Sequence, residues 1–240
     1  MRKASKRRYR NTLDYIESGF QACWRNTLDL VEASNTLLEK GLHAPVLSLS
    51  VLALEELAKL RAIDGLLYAR HDDHKTQAYM KAGKSHSAKL IMFEMIPLFL
   101  GNLAMTDPRY ENDEVFAKTL VISIENLRRD GNEVMAKLEK DAFLRLDEFK
   151  QTGFYVSASQ NGFVAPRDSV DRSFAEMVHR LAWRATTTLD FLLKGGNLER
   201  YIANARAIRA SLSETEHQEL ERIGKELFKE WFGDPGPLDC

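Results

Sequence analysis

From Thr12 to Lys40 apolar positions recur every three, four or seven residues, at Leu13, Ile16, Phe20, Cys23, Leu30 and Leu37. The polar Ser34 shares their stripe, and Gly41 follows as a stop. This spacing predicts a first amphipathic helix. Pro45 suits the first turn of a second, which runs to about Arg70 before the polar turn HDDH. A third begins near Ser85 and passes through LIMFEMIPLFL, where Pro97 kinks or divides it. Two helical stretches, Asn112 to Asp130 and Asn132 to about Gln151, flank Gly131, with Gly153 as the stop. The segment GFYVSASQNGFVAPRD alone reads as strand or loop: either a small hairpin, with Asn161-Gly162 turning between FYV and FVA, or a short ordered loop excursion near 153–166. Helicity resumes near Ser169, where Phe174, Val178, Leu181, Ala185, Leu189 and Leu192 make an inner stripe that ends at Gly195-Gly196. Further helices cover about Leu198 to Ala210 and Ser213 to Phe232, the last opening on a capping-box spacing of Ser213 and Glu216.

The class is all-α: an antiparallel bundle over 12–194, a basic arm over 1–11 and a helical extension over 195–240 packed on the bundle. No internal repeat and no phosphate-binding glycine loop is present. Of 240 residues, 44% are apolar and 29% charged, enough for a sizeable core. Two cysteines support neither a disulfide framework nor a thiolate zinc site. No apolar run reaches the roughly 18 residues of a membrane span, and the basic N-terminus lacks an apolar signal region behind it. The expectation is a cytoplasmic protein without a membrane partner.

The net charge of -1 hides an asymmetry: Arg2, Lys3, Lys6, Arg7, Arg8 and Arg10 crowd the N-terminus with no acidic residue among them. Such an arm could hold RNA phosphates, releasing counterions, or simply be a solvated terminus.

The second helix is apolar on nearly every face, so it belongs inside the bundle, and its charges need partners. Glu55 and Lys59 have the favourable i, i+4 order, which leaves Glu56 to find Arg61 or a group on another helix. Either a buried ion network fixes helix register, or these groups line an active cleft. Periodicity does not choose between the two.

Three segments in order, SVLALEELAKL, KSHSAKL and FKQTGFYVSASQNGFVAPRD, resemble the AbiV family of abortive infection proteins, a branch of the HEPN superfamily of helical domains. The resemblance covers roughly Leu47 to Asp168 and rests on Glu55, Glu56 and Lys59, on His86 and Lys89, and on Gly153, Tyr155 and Val156. Phe154 stands where leucine is commoner in the family, and Ser157 where an acidic residue often follows.

The resemblance implies a HEPN-like bundle acting in phage defence by halting growth of the infected cell. It also implies a homodimer, RNA or the translation machinery as target, a phage protein as trigger, and no cofactor. Many HEPN proteins are metal-independent ribonucleases carrying an Arg-x4-6-His pair, whose histidine moves the 2′-hydroxyl proton while arginine stabilises the phosphorane. Arg172 and His179 have that spacing, on one helix face about 10 Å apart. His86, near a helix start where a phosphate is welcome, is a further catalytic candidate, flanked by a polar network of Glu55, Glu56, Lys59 and Lys89. The same histidine could instead cap the helix or pair with the glutamates, which would repel phosphate.

Two alternatives stand beside this. One is a non-catalytic helical protein that binds a phage product or the translation machinery. The other is a ferritin-like carboxylate metal protein, suggested by the Glu-x-x-His pairs Glu176/His179 and Glu214/His217. The second pair falls in the first turn of a capped helix, and no suitably placed inward glutamate separates the two pairs as the bundle order requires.

Overall fold

The computed structural model describes residues 13–68, 96–138, 148–159, 162–194 and 197–216, together with 218, 219 and 222. It is an all-α bundle with one small hairpin. Helices α1 (Leu13–Glu39) and α2 (His43–Tyr68) are joined by a tight turn in which Gly41 takes φ 69°, a conformation that favours glycine. The two run antiparallel. Gly19 faces Ile63 at one end, and Ser34 reaches the Val46 carbonyl and Ser50 at the other.

The central position expected of α2 holds. Val46, Leu47, Val51, Ala53, Leu54, Leu57, Ala58 and Leu60 are all buried, between α1 on one side and the later helices on the other. Next come α3 (Ile96–Met105), α4 (Pro108–Asn112) and α5 (Glu114–Leu138). On α3, Ile96, Phe99 and Leu103 are core while Leu98 is half exposed.

Gly131 does not divide the helix around it, contrary to the expected break. α5 passes straight through, because a glycine inside a helix costs only about 1 kcal/mol and buried Leu127 and Val134 hold both flanks to the core. The short α4 was not anticipated as a separate element. Asp107 caps it by accepting from the Arg109 N–H, and Pro108 fills its first position.

A helical segment over 148–152 ends at buried Gly153 and leads into β1 (Ser157–Ser159), paired antiparallel with β2 (Gly162–Val164). The hairpin forms as expected, but its register differs. Ser159 pairs with Gly162, so Gly162, at φ 121°, opens the second strand instead of sitting in the turn. The FYV run stays outside the ladder. After the four-residue α6 (Pro166–Ser169), α7 (Arg172–Leu193) starts at an Asp171 cap that accepts the Phe174 N–H at 2.7 Å. Every position of its expected inner stripe is buried. Helix α8 (Asn197–Ser211) lies against α2 and α3, where the Tyr201 hydroxyl donates to buried Asp64 and the Tyr201 ring meets Phe99 edge-on. The Ser213/Glu216 capping box is formed in both directions.

Candidate functional site

His179 lies on the inward face of α7 and is only 6% exposed. Its Nε2 is 2.8 Å from Asn35 Oδ1, and its Nδ1 is 2.9 Å from Ser34 Oγ and 3.4 Å from Ser50 Oγ. With an amide oxygen facing Nε2, that nitrogen carries the proton, and Nδ1 accepts from a serine hydroxyl. The ring is therefore a neutral tautomer tying α7 to α1 and α2. Burial holds its pKa below the usual histidine range, which fits the neutral form. Its ring nitrogens are engaged inside the bundle.

Arg172 sits at the opposite extreme of exposure. It is the first residue of α7, with three quarters of its side chain in solvent, and its Nε donates to Glu176 Oε1 at 2.8 Å. The expected Arg172/His179 pair does not come together. The helix supplies the spacing, but one side chain leaves toward water and the other toward the core.

A different histidine approaches the Glu176 carboxylate. His43 opens α2, and its Nδ1 lies 4.0 Å from the same Glu176 Oε1 that receives Arg172. Nδ1 is buried without a hydrogen-bond partner, while the side chain as a whole keeps a fifth of its surface exposed. The Arg172 hydrogen bond, reinforced by the charges of Arg172 and His43, holds the Glu176 carboxyl below its ordinary range. Thus the heads of α2 and α7 bring a guanidinium, a carboxylate and an imidazole together at the surface. The sequence gives little sign of this, since 129 positions separate His43 from Arg172 and only the fold joins them.

The charges of α2 pair differently from their expected i, i+4 pattern. Lys59 reaches Glu56, three residues back, and Arg61 reaches Asp64. Glu55, 2% exposed, receives the Lys150 ammonium at 2.9 Å from the segment before the hairpin. A central helix packed on both sides carries Glu55 toward another element, where a lysine can follow it into the interior. The Ser48 hydroxyl also donates to the Lys150 carbonyl at 2.6 Å. Gly153 fits so closely that an added Cβ would collide with Ser48 Oγ and the Ala44 carbonyl. Lys150 had no periodic signal, although it stands three residues before the glycine of the family segment.

This anchor carries exposed apolar side chains: Phe154, Tyr155 and Val156 before the hairpin, and Phe163 within it at 83% exposure. His86, Lys89 and the arm residues Arg2, Lys3, Lys6, Arg7, Arg8 and Arg10 lie outside the described residues. Among the described residues no three His, Cys, Asp or Glu side chains group so as to hold a metal ion, and no helix is long and apolar enough to cross a membrane. Of the two Glu-x-x-His pairs, Glu176 faces solvent while His179 faces the core, and His217 lies outside the described residues.

No curated protein and no solved structure matches the chain. The family model HEPN_AbiV, described as AbiV, matches residues 15–186, a span that takes in nearly all of α1, the charges of α2, the Gly153 hairpin and most of α7. The chain belongs to the AbiV family of HEPN proteins.

Proposed function

We propose that this protein serves abortive infection, arresting growth of a phage-infected cell, and that its effector step is cleavage of RNA at the exposed head of α7. The family supports the first part. The observation that carries the second is the meeting of Arg172 and His43 on the Glu176 carboxylate. An arginine left mostly in solvent is suited to a phosphate, and cleavage of RNA next to its own 2′-hydroxyl needs a proton acceptor and charge stabilisation from the protein. His179 does not supply that acceptor on this reading, because its nitrogens serve Asn35 and the two serines.

The test is phage plating on bacteria carrying the gene, with RNA extracted after infection. Wild type should lower plaque number and fragment RNA, and Arg172→Ala should do neither at equal protein level. Protection by Arg172→Ala equal to wild type would overturn the effector step while leaving the defence role.

A second reading draws on the anchored hairpin. Four large apolar side chains held on a buried ion pair would suit a protein contact, with a phage product or the translation machinery as the occupant. Tyr155→Ser with Phe163→Ser would then abolish growth arrest in a protein that leaves RNA whole.

A further inference from the structure

We infer that the outward face of α5 is an interaction surface for a second copy of this chain, with the two helices antiparallel about a two-fold axis that passes between Val121 and Ile122. The inference is independent of the RNA-cleavage reading and rests on the order of residues along one exposed helix face.

The buried stripe of α5, Phe116, Leu120, Leu127 and Val134, faces the bundle. Its other side carries Val115, Val121 and Ile122 at 75%, 42% and 57% exposure. Branching at Cβ restricts χ1 and weakens a helix slightly, and burial against the bundle offsets nothing for side chains so exposed. Burial against another surface would. At 3.6 residues per turn these three side chains fall within one arc of about 140° that also holds Glu114, Lys118, Glu125, Arg128 and Arg129, every one of them exposed.

Charge complementarity selects the occupant. A two-fold axis between positions 121 and 122 brings each residue level with the one equally far along α5 on the other side of the axis. Lys118 then meets the partner's Glu125. Glu114 comes level with the partner's Arg129, with the partner's Arg128 beside it. Both contacts occur twice by symmetry. Val121 and Ile122 of the two copies meet at the centre, and Val115 lies along the aliphatic stem of the partner's Arg128. The eight positions map onto one another with no like charges opposed.

Other arrangements lose this match. Parallel pairing in register sets Lys118 against Lys118 and Glu114 against Glu114. Moving the axis onto Ile122 sets Lys118 against Asn126 and Glu125 against Thr119, so both charge contacts disappear. The Lys118 ammonium is also held on this face already, 2.6 Å from Glu114 Oε1 in its own chain, with both side chains largely in solvent.

A contact confined to one helix face is small, and exposed ion pairs fix orientation more than they add affinity. The expected behaviour is a monomer–dimer equilibrium. On the far side of α5, α7 runs antiparallel to it, with Phe191 stacked on Phe116 and Arg180 paired with Glu133. Two copies joined through α5 therefore hold their Arg172 heads at opposite ends of the pair.

The experiment is sedimentation velocity on the full chain at low ionic strength, from micromolar to hundreds of micromolar concentration, with thermal melting to verify folding. Wild type should sediment faster toward a dimer as concentration rises. Lys118→Glu and Glu125→Lys should each weaken self-association about 10-fold or more, because each sets like charges together twice. An equimolar mixture of the two variants should recover the wild-type dimer, since Lys118→Glu in one copy faces Glu125→Lys in the other and the remaining Lys118 faces the remaining Glu125. A general loss of stability would show no such recovery. Wild type monomeric throughout, a dimer indifferent to both variants, or a mixture no stronger than either variant alone would overturn the inference.

Discussion

Ser34 Oγ lies 2.9 Å from His179 Nδ1, joining α1 to α7 across 145 positions of sequence. The contact makes His179 a buried polar pin. Removing it as His179→Leu leaves Asn35 and the serine pair without its ring nitrogens, and should cost roughly 1–3 kcal/mol. The pH dependence has a definite sign. Burial lowers the folded-state pKa, so below about 6.5 the unfolded chain binds more protons than the native one. The contribution of His179 is therefore complete above that pH and is lost as pH falls toward the lower folded value. Urea titrations between pH 5 and about 7.5 should show the stability gap between wild type and His179→Leu narrowing on acidification. A gap that widens would contradict the neutral assignment.

Lys150 and Glu55 form the second buried tie, at 2.9 Å. Lys150→Met takes away an ammonium that faces a carboxylate 2% exposed, and should destabilise the fold. Glu55→Leu with Lys150→Met should lose less than the sum of the two single losses, since the two side chains share one contact. Denaturant unfolding of both singles and the double gives the coupling. Losses that simply add would show the pair to be independent.

Gly153 carries the hairpin against α2. Gly153→Ala forces a methyl into Ser48 Oγ and the Ala44 carbonyl, and overpacking of this kind costs roughly 1–3 kcal/mol. The expected result is a lower melting temperature with faster proteolysis near Tyr155. Unchanged melting and an unchanged cleavage pattern would deny the anchor.

Cys23 is half-buried beside Glu56, and burial, followed by the nearby Glu56 charge, pushes its thiol up to about 11. Native protein at pH 8 should therefore alkylate slowly at Cys23, and denatured protein readily, as read by mass spectrometry.

The bundle was legible because burial imposes period on sequence. The α7 stripe from Phe174 to Leu192 and the all-round apolar surface of α2 correspond directly to buried faces. Local chemistry was legible too, as the Ser213/Glu216 capping box shows. The α5 boundary was misread because propensity at Gly131 is weaker than the packing of Leu127 and Val134. The site was hidden for another reason. Spacing along one helix fixes direction around an axis, but not which neighbour fills the space beside it. Arg172 and His179 satisfy the spacing yet face water and core, whereas His43 nears Glu176, the partner of Arg172, only through the packing of α2 on α7. The same limit explains Lys150, whose link to Glu55 spans 95 positions.

The central claim is that Arg172 and His43 act as one site around Glu176. Its most direct measurement is a double-mutant cycle on single-turnover RNA cleavage, with Arg172→Ala, His43→Ala and the double variant. Residues acting as a unit lose their effect together, so the double should be about as slow as the slower single. Rate losses that multiply in the double would mean that the two side chains act independently, and would contradict the account.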